Sequence, residues 1–293
     1  MKRYHLEKII GTGGMSRVWL AHDDLLDRRV AVKEILPVPG ITAALWTRSV
    51  QEARAAARLA HPNVVRVYDV LLGEGRAWIV MEYVACRDLE TVVREDGPLA
   101  PAEAARVGQA VLAGLSAAHA AGVLHRDVKP HNVLVAGDGR ILLGDFGVAL
   151  LDAAPEAGPL VASPAYVAPE RLRDGESSAP GDLWSFGATL YFSVEGRPPF
   201  FRPTAAEQLA AVRSDPPDPP VLAGPLTPLL LALLQTDPAR RPAAAEAAEA
   251  LRRAGAAGPA PVPRWHHPAL FVAWVVAFAM VGGVVAALLS AGR

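Results

Sequence analysis

Three side chains suited to moving a phosphoryl group stand close together in the run His125-Arg126-Asp127-Val128-Lys129-Pro130-His131-Asn132. An aspartate can take the proton of an attacking hydroxyl, a lysine can neutralise charge on the transferring phosphate, and an asparagine amide oxygen can hold a metal ion. Asp127, Lys129 and Asn132 are the candidates for these roles. A further carboxylate follows in Asp145-Phe146-Gly147. Oxygens from Asp145 and Asn132 are what a hard Mg2+ ion needs beside phosphate and water. A polar surface loop could match any one such motif by chance, but four more motifs follow the same logic along the chain.

These residues need elements to carry them. Residues 101–121 predict a helix: Pro101 suits a first helical position, Val107, Val111 and Leu115 recur at helical spacing, and Gly122 can cap the end. That helix delivers the Asp127 loop from its C-terminus. Residues 133–135 and 140–143 predict a hairpin through Gly137-Asp138-Gly139, which delivers Asp145. Upstream, residues 4–18 predict strand, turn, strand around Gly11-Thr12-Gly13-Gly14-Met15-Ser16-Arg17-Val18. Glycines there let backbone N–H groups approach phosphates, although a plain hairpin turn reads equally well from the loop alone. The third glycine of a G-x-G-x-x-G pattern is replaced by Ser16, and no Gly-Lys-Ser/Thr follows, so the loop is not a P-loop. Val30-Ala31-Val32-Lys33 reads as a strand with one lysine facing inward. Residues 48–60 favour helix and carry Glu52, by itself a solvated helix-surface carboxylate, before His61-Pro62-Asn63. Residues 64–70 and 77–84 predict strands rich in β-branched side chains.

Taken together, H-R-D-x-x-x-x-N, D-F-G, V-A-V-K and Ala168-Pro169-Glu170 resemble the protein kinase family, and the G-x-G-G-M-S-x-V loop resembles its bacterial Ser/Thr branch. The resemblance covers residues 4–253 and implies an α+β, bilobal kinase fold. It has a small β-rich N-lobe (residues 1–84) and a larger helical C-lobe (85–253), with ATP and Mg2+ (or Mn2+) between them. It implies that Lys33, paired to Glu52, grips the phosphates. It assigns catalysis to Asp127 and Lys129 and metal binding to Asn132 and Asp145. Nucleotide binding falls to Gly11, Thr12, Gly13, Gly14, Met15, Val18, Ala31 and Lys33. It falls also to the gatekeeper Met81, to Glu82 and Val84 of the hinge, to Asp88 near the ribose, and to Leu134. Cys86, close to Val84, reads as an inert thiol. Ser163 stands where the family usually has threonine, Arg241 is the implied partner of Glu170, and Asp182-Leu183-Trp184 resembles the start of the buried helix that anchors the catalytic loop. Where basophilic kinases often carry an acid that reads a substrate arginine, this chain has His131, which implies no strong demand for arginine. Protein Ser/Thr hydroxyls are the implied acceptors. A pseudokinase scaffold is the rival reading, but the catalytic set is complete; small-molecule phosphotransferases usually lack an A-P-E segment.

Composition bounds the rest. The chain has 293 residues and net charge −1, which gives no basic field for nucleic acid. A single cysteine excludes an internal disulfide and fits a reducing cytosol. The first eleven residues carry charges and no long apolar run, unlike a secretory signal. Mean hydropathy is +0.23, raised by the C-terminal region. After an Ala/Gly/Pro linker (residues 254–268), residues 269–290 contain no charged side chain. At ~1.5 Å per residue they reach ~33 Å, enough for a ~30 Å hydrocarbon core, and a helix apolar on every face has nothing else here to bury against. The expectation is a single transmembrane helix in the cytoplasmic membrane, with the kinase domain on the cytosolic side beside Arg252, Arg253 and Arg264. Only residues 291–293 are left outside, so no sensor domain is expected there. Ala279, Gly283 and Ala287 share one face of that helix, which could support a homodimer or simply reflect an Ala-rich chain.

Overall fold

A computed structural model describes residues 3–13, 16–36, 51, 53–73, 76–146 and 164–256. They fall into two units. The first is a five-stranded antiparallel sheet of β1 (Tyr4–Gly13), β2 (Ser16–Asp23), β3 (Arg28–Ile35), β4 (Val67–Gly73) and β5 (Arg76–Glu82), in the order β1-β2-β3-β5-β4. Side chains alternate along β3. Val30 and Val32 are fully buried and pack with Tyr4, Ala21 and Val80, so Ala31 and Lys33 take the other face. Register then decides their company: Lys33 lies opposite Val18, Ala31 opposite Met81, and Val18 opposite Gly11. Directly opposed residues share a face. The pairing therefore gathers Gly11, Val18, Ala31, Lys33 and Met81 on one surface of the sheet.

The second unit is mostly helical. β6 (Cys86–Asp88), β7 (Val133–Ala136) and β8 (Ile141–Leu143) form a three-stranded sheet beside α1 (Leu89–Asp96) and α2 (Pro101–Ala120). Then come α3 (Pro169–Asp174), α4 (Ala179–Glu195), α5 (Ala205–Ser214), α6 (Thr227–Leu233) and α7 (Ala244–Ala256). α4 starts at Ser178, whose hydroxyl accepts the N–H of Gly181, and stops at Gly196 in the left-handed region. Its residues from Asp182 to Val194 are all buried, so it forms the centre of the unit's core. Val107, Val111 and Leu115 of α2 bury into the same core, as their spacing predicts.

Several boundaries differ from the sequence reading, such as β2 running to Asp23 and β5 ending at Glu82, and two of the differences have a visible cause. The strand expected over 64–70 begins at Val67, because Val64 bridges to Leu143 and the Val65 N–H donates to the Leu143 carbonyl (3.0 Å). Asn63 completes that attachment, accepting from the Leu143 N–H (2.9 Å) and donating from Nδ2 to the Ile141 carbonyl (2.9 Å). α2 permits this close approach only because Gly114 lacks a side chain: a Cβ there would lie 2.8 Å from the Asn63 oxygen. At the other end, α7 continues through Ala256, with Ala254 buried in the core, past the point where the linker was expected to begin. Alanine is a strong helix former, and this one is small enough to pack. No helix among the described residues is long and apolar enough to cross a membrane; the apolar run 269–290 lies outside them.

Candidate active site

The loop that carries Asp127 is held by one carboxylate of α4. Asp182 accepts from the backbone N–H of His125 (2.8 Å) and of Arg126 (2.7 Å), and from His119 Nε2 at the end of α2 (2.8 Å). Burial pushes this carboxyl up, but its donors prevail and hold it below the usual carboxylate range. His125 is buried too. Its Nδ1 accepts the Asp127 N–H (3.2 Å), so Nε2 carries the ring proton and donates it to the Gly144 carbonyl (2.8 Å). Burial pushes its pKa down, which keeps this neutral tautomer. The ring also packs on Phe146, centroids 4.5 Å apart.

Asp127 itself is 52% exposed and accessible to a substrate. Its Oδ2 lies 2.8 Å from Lys129 Nζ and accepts from Asn132 Nδ2 (3.0 Å), which donates also to the Asp127 carbonyl (2.7 Å). The amide nitrogen of Asn132 is thus engaged, and its oxygen is the atom it offers to a hard cation. The Asn132 carbonyl accepts from Gly144 N–H (2.8 Å), which brings Asp145 next to the same loop with φ 59°. These two oxygen donors suit Mg2+ or Mn2+.

The other candidates distribute as follows. Asp88 and Leu134 face each other across β6 and β7, with Asp88 buried and accepting the Thr91 N–H (2.7 Å) as the cap of α1. Burial raises the Asp88 pKa. Gly11, Thr12, Gly13, Val18, Ala31, Lys33, Met81, Glu82 and Val84 lie in the first unit, with Glu82 opposite Val30 and so on the face away from Met81. Gly14, Met15, Glu52, Gly147 and Ser163 lie outside the described residues. Arg241 meets Glu170 as the resemblance implied, through two parallel bonds of 2.6 and 2.7 Å.

Sequence reasoning missed several supports. Asp182 was read as opening the helix that anchors the catalytic loop, but its carboxylate was not singled out as the atom group that holds the His125 and Arg126 N–H groups. His119 and Arg171 gave no signal. Glu90 was not singled out in the sequence; it pairs with Arg94, and its Oε2 also meets His131 Nδ1 at 2.8 Å. That bond raises the His131 pKa against the effect of burial.

The protein kinase domain profile matches residues 4–251. Serine/threonine-protein kinase PknA of Mycobacterium tuberculosis is 39% identical over 206 residues, covering 68% of this chain and 48% of that protein. PrkC of Bacillus subtilis is 35% identical over 201 residues, covering 68% of this chain and 31% of that protein. The chain therefore spans less than half the length of these relatives. The crystal structure of the Mycobacterium tuberculosis PknI kinase domain superposes with a TM-score of 0.69 at 30% identity, covering 86% of this chain and 96% of that one. With the Asp127 loop, Asp145 and Phe146, and the Glu170–Arg241 pair in place, the chain belongs to the protein kinase family, among relatives that are bacterial Ser/Thr kinases.

Proposed function

We propose that the chain transfers the γ-phosphoryl group of ATP to Ser/Thr hydroxyls of proteins. The observation that carries this reading is the exposed Asp127 carboxylate with Lys129 and Asn132 both on Oδ2. The acceptor oxygen attacks the γ-phosphorus, the bond from that phosphorus to the bridging oxygen of ADP breaks, and Asp127 takes the hydroxyl proton. Lys129 balances charge on the transferring group. Asn132 and Asp145 would hold Mg2+ or Mn2+, which supplies charge neutralisation at the phosphates. Lys33, supported by Glu52, would bind the phosphates from the first unit. The work is positioning and charge stabilisation, with no covalent enzyme intermediate. His131, standing where basophilic kinases often carry an acid, pairs with Glu90 (2.8 Å), which supports an acceptor preference without a strong demand for arginine.

The same reading extends to organisation: a kinase domain ending near Ala256, a short linker, and a single membrane span over 269–290 that anchors the domain on the cytosolic side. Ala279, Gly283 and Ala287 make a homodimer through that span a reasonable partner arrangement. Incubating the full chain with labelled ATP-Mg2+ and a panel of proteins, followed by phosphoamino-acid analysis, tests the activity. Label on serine or threonine is expected from the wild type and none from Asp127→Asn, which still binds ATP because its nucleotide contacts are intact. Near-wild-type turnover by Asp127→Asn would refute the assignment.

A further inference from the structure

The peptide unit between Arg126 and Asp127 sets the direction of the catalytic carboxylate, and it is held at both of its polar atoms. Its N–H, on Asp127, donates to His125 Nδ1 (3.2 Å). Its carbonyl, on Arg126, accepts from Arg171 Nη1. Arg126 stands at φ 67°, in the left-handed region that a side-chain-bearing residue adopts only when its surroundings impose it. Asp182 supplies part of that constraint through the Arg126 N–H (2.7 Å). The Arg171 guanidinium supplies it on the carbonyl side, one peptide closer to the carboxylate.

Arg171 is itself on a fixed mount. It follows Glu170, which the buried Arg241 pair anchors, and sits on α3, whose Leu172 carbonyl accepts from Arg213 of α5 (3.4 Å). A charged guanidinium on a neutral carbonyl makes a stronger bond than an amide would. We propose that Arg171 is a positioning residue for Asp127: it locks the 126–127 peptide, and so makes the aim of the catalytic base depend on the seating of α3. The proposal rests on Asp127 being the base, as argued above.

Arg171→Met and Arg171→Lys in the full chain test it. The methionine variant keeps much of the side-chain length and removes the donors; the lysine variant restores one. Small displacements of a catalytic group cost up to about 100-fold in rate. Arg171→Met should therefore lose ~10- to 100-fold in kcat while KM for ATP stays within about twofold and the thermal midpoint is retained, and Arg171→Lys should recover part of kcat. Amide exchange at Asp127, read on the same proteins, should quicken in Arg171→Met and slow again in Arg171→Lys. Unchanged exchange at Asp127 in Arg171→Met refutes the positioning role, whatever the activity. An unchanged kcat refutes it as well, and so does a loss that tracks thermal stability without rescue by lysine. A wild-type chain that transfers no phosphate refutes the proposed function instead, and the exchange measurement still decides whether Arg171 holds the peptide.

Discussion

Arg241→Met strands a carboxylate inside the second unit. In the wild type both Glu170 oxygens are met by the guanidinium, at 2.6 and 2.7 Å, with the two side chains only 10% and 1% exposed. The same guanidinium donates to the carbonyls of Gln235 (2.9 Å), Pro180 (2.9 Å) and Thr236 (3.3 Å). Removing one member of a buried pair costs about 3–5 kcal/mol, chiefly because the other charge stays behind unpaired. Against a typical stability of about 5–15 kcal/mol this is a large fraction. With a urea slope near ~3 kcal/mol per molar, the midpoint should fall by ~1–2 M, read by far-ultraviolet circular dichroism, which reports mainly on the helices. The double variant Glu170→Met/Arg241→Met removes both charges and should regain most of the loss, since apolar replacements of buried pairs are often neutral. A drop below about 1 kcal/mol for Arg241→Met would refute the stranded-charge argument. A double variant as unstable as the two single losses added together would refute it too, and would point to lost packing and lost carbonyl bonds.

Two further outcomes are expected. Lys33→Met should slow phosphoryl transfer by about 10²–10³, the scale for losing one preorganised charge contact, with the fold unchanged by circular dichroism; full activity in the purified variant would remove Lys33 from the site. The His131–Glu90 pair should stabilise the unit in a pH-dependent way. The folded pKa of His131 lies above its ordinary 6.5, so the contribution is fully present below about pH 6.5 and is lost as pH rises through the higher folded value. The urea midpoints of wild type and His131→Gln should therefore differ more at pH 5.5 than at pH 9, and a gap that widens with rising pH would contradict the assignment.

Much of the site was legible because it is local. Asp127, Lys129 and Asn132 fall on one short loop, and a 3-10 turn over Pro130–Asn132 brings the Asn132 amide back to Asp127. The helix that delivers them was written in the spacing of Val107, Val111 and Leu115, and in Pro101 at its start. Strand β3 was written in Val30 and Val32 at alternating positions, and β5 in its adjacent β-branched Ile79 and Val80. The start of β4 was misplaced because Val64 and Val65 have the composition of a strand in the first sheet but give their backbone bonds to Leu143. The end of α7 was placed too early because an Ala/Gly/Pro composition does not reveal that Ala254 has a core to enter.

The sequence by itself determined which side chains could accept a proton, bind phosphate or hold a metal, and which local elements would carry them. Those properties depend on residue type and on spacings of a few positions, where helix and strand periodicity govern. The tertiary structure alone decided which atoms aim Asp127. Its loop is tied to Asp182, 57 and 56 residues from His125 and Arg126, and to Arg171, 45 residues from Arg126. Such contacts arise from how α3 and α4 pack against the loop, and no periodicity along the chain encodes them. Once the buried α4 is seated, Asp182 must find donors for its carboxylate, and the backbone N–H groups of the catalytic loop are there to supply them.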